Sequence, residues 1–296
     1  MSYLRALLST SEHSPRALNL TTHVISLNPA HYTVWLFRFK ILCALAISLE
    51  QELEWLNGVA LDNLKNYQIW HHRQLLIEHH ITSDTLLEER TQLARQEVQF
   101  MDEMFDEDAK NYHVWSYRAW LVRKLGFWAG EELHNTEAWI DKDVRNNSAW
   151  SHRFFLVFND PEYCKEGCKA TERDPGIPHQ VLEREIGYTK GKIGEAPQNQ
   201  SPWNYLRGVL RKGGRALSDM EGFAGEFVKI GDGESEEVKS SHALELLADV
   251  WAENMECERA DKALRLLGEK YDRIRRNYWE WKRGQLSDEG EGGKSA

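Results

Sequence analysis

The sequence predicts an all-α fold, an α-α superhelix in which helical hairpins stack as one continuous solenoid. Three observations predict this class: an excess of tryptophan, a motif that recurs around five of the tryptophans, and helical periodicity between the copies. The chain of 296 residues contains 12 Trp, more than its 10 Tyr or its 10 Phe. Large rings at this frequency indicate a structural unit that uses one Trp per copy.

The motif occurs four times in full, with a shared core of Tyr or Asn, two residues, Trp, two residues and Arg. The copies are Asn28–Arg38, Asn63–Arg73, Asp108–Arg118 and Asp143–Arg153, and a degenerate fifth copy is Ser201–Arg207. The tryptophans stand at 35, 70, 115, 150 and 203, so two of the spacings are 35 residues. This period is the size of a helical hairpin, and the longer spacings indicate insertions.

Local signals support helices within each copy. Apolar residues after Trp35 follow the i, i+3, i+4 pattern of one buried helix face. Asn66, Asn111 and Asn146 precede the Trp helices and are predicted to cap them, and Ser201 followed by Pro202 predicts the start of the fifth. Further helices are predicted at 242–253 and 258–278.

A single helical-repeat domain is predicted over residues 1–287, followed by a disordered polar tail at 288–296. Two segments, 161–178 and 231–241, read as loop insertions, and the second contains an acidic Gly/Ser run at 231–237. The longer first helix of the third copy is predicted to start at Ile81–Asp84.

Composition excludes several classes of protein. No apolar stretch approaches the ~18–20 residues of a membrane span, so the chain is not expected to span a membrane. A formal net charge of −10 disfavours broad nucleic-acid binding, and no nucleic-acid partner is expected. Four cysteines in this length predict no disulfide framework and favour a reducing, cytoplasmic location.

The repeated residues favour structure over chemistry. No single ligand would contact every copy, so the Trp rings are interpreted as packing groups. The repeated Arg38, Arg73, Arg118 and Arg153 are expected to bond carbonyls or carboxylates of a neighbouring repeat. Neither a His-Glu-x-x-His nor a Cys-x-x-Cys motif is present, so no metal site is predicted on this chain.

Function is therefore sought where the copies differ. Five residues before Trp, the first copy has Ala30 whereas the second and third have Lys65 and Lys110. Helix N-termini favour anions, so these lysines, with Tyr67 and Tyr112, predict a phosphate-binding edge on one rim.

The strings Lys65-Asn-Tyr-Gln-Ile-Trp-His-His-Arg73 and Asp108-Ala-Lys-Asn-Tyr-His-Val-Trp115 carry a resemblance to a known family. The sequence resembles the α subunit shared by protein farnesyltransferase and protein geranylgeranyltransferase type I, over nearly the whole chain. The resemblance implies that the solenoid is crescent-shaped and that the chain forms a heterodimer with a catalytic β subunit. That subunit is expected to hold Zn²⁺, and Mg²⁺ is expected to accompany the diphosphate. That enzyme transfers farnesyl or geranylgeranyl from its diphosphate to the Cys of a C-terminal Cys-a-a-X sequence.

Residue by residue, the resemblance gives catalytic roles at the diphosphate to Lys65, Tyr67 and Tyr112. It gives substrate-binding roles to Gln68, Asn111, His113 and Tyr32, and no metal ligand on this chain. Two alternatives stay open. One is the α subunit of Rab geranylgeranyltransferase, although the chain has no room for its added domains. The other is a non-catalytic, tetratricopeptide-like scaffold that binds peptides.

Overall fold

The computed structural model describes residues 2–128, 130–230 and 236–292, with side chains up to residue 286. The chain divides into two compact units, residues 1–128 and 129–296. The first unit contains α1 (Ser2–Ser9), α2 (Pro15–Leu27), α3 (Tyr32–Leu45), α4 (Leu49–Asp62), α5 (Tyr67–His80), α6 (Leu87–Glu107) and α7 (Tyr112–Leu125).

The second unit is also helical, with one very short hairpin of strands. Its helices are α8 (Glu131–Lys142), α9 (Asn147–Phe158), α10 (His179–Glu195), α11 (Gln200–Gly213), α12 (Glu221–Gly225), α13 (Ser241–Glu253), α14 (Cys257–Leu266) and α15 (Arg276–Gly292). The strands β1 (Val228–Lys229) and β2 (Glu237–Val238) pair antiparallel. The all-α prediction is confirmed. The single domain predicted over 1–287 stays a prediction.

Helical hairpins are the building block of both units. In the first unit α2 packs on α3, α4 on α5 and α6 on α7, and in the second α8 packs on α9 and α10 on α11. The second helix of every hairpin carries the repeated Trp. These Trp helices also pack on one another in sequence order, α3 on α5 and α5 on α7, and likewise α9 on α11.

The tryptophan rings are core groups, as the sequence predicts. Trp35, Trp150 and Trp203 are each 2% exposed. The indole N–H of Trp35 donates to the carbonyl of Pro29 at 2.8 Å, and Trp150 and Trp203 make the same bond to the carbonyl six residues before. Each ring therefore packs the core and closes the turn that precedes its own helix.

Three of the repeated Trp rings also contact an aromatic ring on the following Trp helix. Trp35 lies 5.1 Å from the ring of His72, Trp70 lies 5.1 Å from Tyr117, and Trp150 lies 5.1 Å from Tyr205. The partner in every case stands two residues after the next repeated Trp. The equal distances show that neighbouring hairpins within a unit stack with the same geometry.

A buried glutamate in the first helix of a hairpin joins that hairpin to the one before it. Arg38 donates through Nε and Nη2 to Glu52, at 2.6 and 2.7 Å, and His72 contacts the same carboxylate at 3.0 Å. Arg73 with Glu97 and Arg153 with Glu185 repeat this two-bond geometry. These carboxylates confirm for Arg38, Arg73 and Arg153 the expectation that the repeated arginines bond a neighbouring repeat. Arg118 donates to Asp102 of its own hairpin at 3.1 Å.

The second partner of each glutamate comes from its own hairpin. Tyr117 donates to Glu97 and Tyr205 to Glu185, while His152 contacts Glu132 at 2.7 Å. Burial raises the pKa of Tyr117 and of Tyr205, and the neighbouring glutamate adds to the rise, so both phenols stay neutral donors. We call the sets built on Glu52, Glu97 and Glu185, each with its arginine and its second partner, the Arg–Glu clamps.

Ionisation of the clamp carboxylates follows from their partners. Burial acts to raise the pKa of Glu185, but the Arg153 guanidinium and the Tyr205 hydroxyl outweigh it and hold this pKa below its usual value. For Glu52, His72 and Arg38 overcome burial in the same way. Burial lowers the pKa of His72, so a neutral imidazole donates from Nε2 while its Nδ1 has no partner among the described residues.

The predicted helix caps are confirmed at three positions and corrected at a fourth. Asn66, Asn111 and Asn146 each accept a hydrogen bond from the backbone N–H two residues on. In the fifth copy the cap is Asn199 and not Ser201, because the Asn199 side chain accepts from the Ser201 N–H. The cap thus keeps its place four residues before Trp in every copy from the second to the fifth.

Other boundaries also differ from expectation. The first helix of the third copy begins at Leu87 and not at 81–84, because Thr85 Oγ1 accepts from the Thr82 N–H and forms a turn there. The helix predicted over 258–278 breaks near Asp272, whose carbonyl and carboxylate both accept from the buried Trp279 indole.

The predicted polar tail begins within a helix. The α15 backbone runs to Gly292, and residues 293–296 lie outside the described part of the chain. Most of the acidic run at 231–237 also lies outside it, although Glu237 pairs with Lys229 in the strand hairpin.

Removing one clamp carboxylate will destabilise the second unit. Glu185→Gln removes the two-bond carboxylate partner of the fully buried Arg153 and leaves it the partly exposed Glu137 at 3.2 Å. The loss is expected to reach up to about 3–5 kcal/mol of unfolding free energy, the cost of breaking a buried ion pair. Chemical denaturation measures the loss. Glu183→Gln on the same helix is the matched control, since Glu183 is exposed and pairs with Arg215 at the surface, where a pair contributes about 0–1 kcal/mol. Equal losses in the two variants would contradict the clamp.

The stability difference between wild type and Glu185→Gln will depend on pH, and the direction of this dependence follows from the pKa of Glu185. Because the pKa of Glu185 is lower folded than unfolded, its stabilising effect is complete above about pH 4.5, the ordinary glutamate value, and is lost as the pH falls through the folded pKa. The stability difference between wild type and Glu185→Gln will therefore shrink below that pH. Denaturation midpoints measured in steps from pH 7 to pH 3 test this, and a difference that stays constant would refute it.

The caps give a third prediction. The Asn199 side chain makes two bonds: it caps α11, and its amide donates to the Val144 carbonyl at 2.7 Å. Among the described residues, the Asn66 side chain makes the cap bond alone. Both Asn→Ala variants lose a cap worth about 1 kcal/mol. Asn199→Ala will lose about 1 kcal/mol more, because a buried carbonyl bond goes too. Thermal unfolding compares them, and equal losses would show that the second bond contributes nothing.

Candidate functional site

The predicted site residues lie at the N-terminal ends of α3, α5 and α7, all within the first unit. We call these ends, together with the turns at 63–66 and 108–111, the rim. Tyr32, Tyr67 and Tyr112 are the first residues of the three helices. Their side chains are 63%, 60% and 74% exposed. Each copy in this unit therefore presents a phenol at the same place, while the Trp behind it stays buried.

Lys65 lies on the turn before α5 and pairs with Asp108 on the turn before α7. The Lys65 side chain is 70% exposed and that of Asp108 is 25% exposed. The lysine ammonium holds the pKa of Asp108 below its usual value, so the carboxylate is charged at neutral pH. The ion pair brings the second and third copies together at the rim.

A second bond joins the same two turns. The Asn111 amide donates to the Leu64 carbonyl at 2.8 Å, while its oxygen accepts from the His113 N–H at 3.0 Å. Asn111 is fully buried. Its observed role is to cap α7 and fix the turn beside Lys65, and the substrate contact assigned to it stays a prediction.

Gln68 and His113 stand one residue after the exposed tyrosines. Gln68 is 5% exposed, and among the described residues its side chain has no hydrogen-bond partner. His113 is half-buried, and its ring lies 5.5 Å from that of Tyr112 in an edge-to-face arrangement. A buried amide and a half-buried imidazole therefore follow the exposed phenols at the starts of α5 and α7.

Tyr32 stands apart from the rest of the site. It begins α3, which packs on α5, but its described ring contact is with His31 at 6.5 Å and not with Tyr67. The structure thus brings together Lys65, Tyr67, Gln68, Asn111, Tyr112 and His113, and leaves Tyr32 at the same rim one helix away.

This arrangement favours an anion. An ammonium group lies between the N-termini of two long helices, where the helix dipole is positive, and two phenol hydroxyls are open to solvent. Within the described residues no three His, Cys, Asp or Glu side chains converge on a point that would hold a metal ion. The rim therefore offers charge and hydrogen bonds rather than metal ligands.

Sequence reasoning missed two kinds of residue. Asp108 is the first residue of the third motif, but its pairing with Lys65 was not predicted. The available signal was an acidic residue seven positions before Trp in one copy and a lysine in the copy before it. The clamp glutamates Glu52, Glu97 and Glu185 were also missed, as was Glu132, which His152 contacts. Each stands 18 residues before a repeated Trp, a constant spacing that would have identified them.

Comparisons with known proteins agree with this description. The family model described as "Protein prenyltransferase alpha subunit repeat" matches residues 14–45, 49–80, 94–125, 130–160 and 182–213. These five ranges coincide with the five hairpins from α2/α3 to α10/α11. Within the described part of the chain, no helix combines the length and apolar character needed to cross a membrane.

Relatives with high coverage come from several organisms. A Candida albicans protein, "Protein farnesyltransferase/geranylgeranyltransferase type-1 subunit alpha", is 38% identical over 289 residues, covering 97% of this chain and 88% of its own. The Dictyostelium discoideum protein of the same name is 33% identical over 303 residues, covering 98% and 84%. The solved structure "Candida albicans protein geranylgeranyltransferase-I complexed with GGPP" matches with a TM-score of 0.84 at 37% identity, covering 96% of this chain and 88% of that one.

The fold and the rim define a helical-repeat protein whose charged turns lie at one end of its Trp helices. With five matched repeats and relatives of this identity and coverage, the chain belongs to the protein prenyltransferase α subunit family. The family resemblance drawn from the sequence is confirmed, and so is the role of α subunit in a heterodimeric protein prenyltransferase. The relatives favour this role over the Rab-type subunit and over a non-catalytic scaffold.

Proposed function

We propose that the chain serves the transfer of farnesyl or geranylgeranyl from its diphosphate to the Cys of C-terminal Cys-a-a-X sequences. In this proposal Lys65, Tyr67 and Tyr112 act at the diphosphate, and Gln68, Asn111, His113 and Tyr32 act at the peptide. The observation that carries it is the Lys65 ammonium, exposed at the rim between the starts of α5 and α7.

The chemistry explains what a fixed ammonium contributes to the reaction. When the bond between the isoprenoid carbon and the diphosphate oxygen breaks, negative charge grows on the departing diphosphate. A cation already in place stabilises that charge more than the charge of the bound substrate, and so lowers the barrier. Lys65 is anchored on a turn that Asn111 and Asp108 hold from the next repeat, which supplies the fixed position.

The tyrosines and the polar residues that follow them supply neutral contacts. The Tyr67 and Tyr112 hydroxyls donate to phosphate oxygens without adding charge. Gln68 has an amide without a described partner, which suits recognition of a peptide carboxylate. We place His113 and Asn111 at the junction of peptide and diphosphate, and Tyr32 beside the last peptide residue.

The partner in this proposal is a catalytic β subunit that holds the zinc ion, with Mg²⁺ accompanying the diphosphate. Zinc would activate the peptide thiol as a thiolate. The described part of this chain offers no cluster of metal ligands, which fits a metal held by the other subunit. The similar Candida albicans protein is a geranylgeranyltransferase-I complexed with GGPP, and this likeness supports an isoprenoid diphosphate as the ligand.

A cytoplasmic location belongs to the same proposal. All four cysteines are free thiols, as is usual in a reducing compartment.

Lys65→Ala will slow prenyl transfer by about 10²–10³-fold, the cost of removing one positioned charge-stabilising group. The variant is co-expressed with the candidate β chain and assayed in single-turnover mode with farnesyl and geranylgeranyl diphosphate. Binding of the diphosphate, measured separately, will change much less, because the ammonium acts chiefly on charge that develops in the transition state.

Arg145→Ala is the matched control for that assay. Arg145 stands five residues before Trp150, the place that Lys65 has before Trp70, but it belongs to the fourth copy. Its rate is expected to equal that of wild type. If Lys65→Ala transfers the prenyl group at the wild-type rate, the proposed catalytic role of Lys65 is wrong. Failure of the chain to purify with a zinc-containing partner would favour a scaffold instead.

A further inference from the structure

Asp108 has two oxygens with two different tasks. Its Oδ1 accepts from the Lys110 N–H at 3.1 Å and shapes the turn before α7. Its Oδ2 accepts from the ammonium of Lys65, which belongs to the preceding copy. The first bond lies within one turn. The second joins the third repeat to the second and contacts Lys65, the central group of the proposed site.

The turn needs an oxygen but not a negative charge. In the first copy Asn28 occupies the equivalent place, seven residues before Trp, and its side-chain oxygen accepts from the Ala30 N–H at 3.2 Å. Asp143 does the same for Arg145 at 2.9 Å in the fourth copy. An amide therefore makes the turn as well as a carboxylate does. Of the two described contacts of the Asp108 side chain, the one with Lys65 is the one that uses its negative charge.

The position of the pair also matters. Lys65 is otherwise a long, exposed side chain with several rotatable bonds, and a free lysine of this kind samples many rotamers. Asp108 is held in place at Oδ1 by the backbone and is three-quarters buried, so the carboxylate is a fixed point. It directs the ammonium toward the start of α7, where Tyr112 and His113 lie.

We propose that Asp108 is a positioning residue for the transfer reaction: it holds the Lys65 ammonium at the rim and releases it to the diphosphate when substrate binds. This inference rests on the proposed function of Lys65 and deepens it. Asp108 touches neither substrate nor reacting atoms. It acts through Lys65, as a counter-ion that the more highly charged diphosphate displaces.

Two opposite effects follow. The carboxylate competes with the diphosphate for Lys65, so it weakens substrate binding. It also keeps the ammonium near its working position, so it speeds transfer once substrate is bound. A residue with a purely structural role would change neither quantity in this paired way.

The test is Asp108→Asn in the complete heterodimer, because Asn28 shows that this turn accepts Asn. Isoprenoid diphosphate is expected to bind about two- to fivefold more tightly, the equivalent of losing one exposed ion pair. The single-turnover transfer rate is expected to fall about three- to tenfold, because the freed lysine spreads over its rotamers. Asp108→Glu keeps the charge but moves it, and is expected to retain wild-type affinity with a smaller loss of rate.

The double variant Asp108→Asn/Lys65→Ala separates the two proposals. If Asp108 acts through Lys65, Asp108→Asn will change neither affinity nor rate in the Lys65→Ala background. Two results would overturn the positioning role and leave the proposed function intact. In the first, Lys65→Ala is slow but Asp108→Asn behaves like wild type. In the second, Asp108→Asn has the same effect whether residue 65 is Lys or Ala. A normal Lys65→Ala enzyme would overturn both. Asp143→Asn, which alters the same turn in the fourth copy, is the control and should match wild type.

Discussion

The structure depends on one interaction: a buried glutamate that takes two hydrogen bonds from an arginine of the preceding hairpin and another from its own. Taking both charges out of water costs several kcal/mol, which only good geometry recovers. In Glu52, Glu97 and Glu185 the geometry is good, because both carboxylate oxygens receive guanidinium N–H groups at 2.6–3.0 Å. A hairpin that slipped along its neighbour would leave two charges buried and unpaired.

This constraint explains where the repeats tolerate extra residues. From glutamate to Trp the separation is 18 residues in all three clamps and also between Glu132 and Trp150, since each glutamate and its Trp lie on the two helices of one hairpin. From Trp to the next glutamate it varies from 17, between Trp35 and Glu52, to 35, between Trp150 and Glu185. The insertions therefore lie between hairpins. They lengthen the start of α6 or add the loop before α10, and the clamp is untouched.

The sequence predicted the parts of this molecule that repeat and the parts that carry a local signal. Trp burial, the asparagine caps of α5, α7 and α9, and the all-α class follow from period and residue type alone. The glutamates were missed because each one, taken singly, looks like an ordinary surface acid. Their signal is the constant spacing of 18 residues to the Trp, which is visible only when the copies are aligned with one another. The prediction of Ser201 as a cap was wrong for the opposite reason. Serine is a favourable capping residue, but the turn places Asn199 at the cap position, where its side chain accepts from the Ser201 N–H.

The candidate site was predicted in part for the same physical reason. Lys65, Tyr67 and Tyr112 were singled out by comparing copies, and the structure places them together at the rim. Comparison of copies does not show which residue of one copy touches which residue of the next. The bonds from Asn111 to Leu64 and from Asp108 to Lys65 cross between repeats, and only the packed structure shows them.

Residues of the rim turns can vary because the clamps and the Trp rings, rather than these residues, hold the hairpins together. The rim can therefore carry functional side chains. Residues 65, 67 and 68 precede or begin a helix whose position is already fixed by Trp70, Arg73 and the cap Asn66. A turn of this kind accepts Ala30 in one copy and Lys65 in another without loss of the fold. Asp108 shows the limit of that freedom, since its Oδ1 is needed for the turn while Oδ2 is not. A net charge of −10 is therefore no obstacle to an anion site, because one turn supplies the local cation and its neighbour holds it in place.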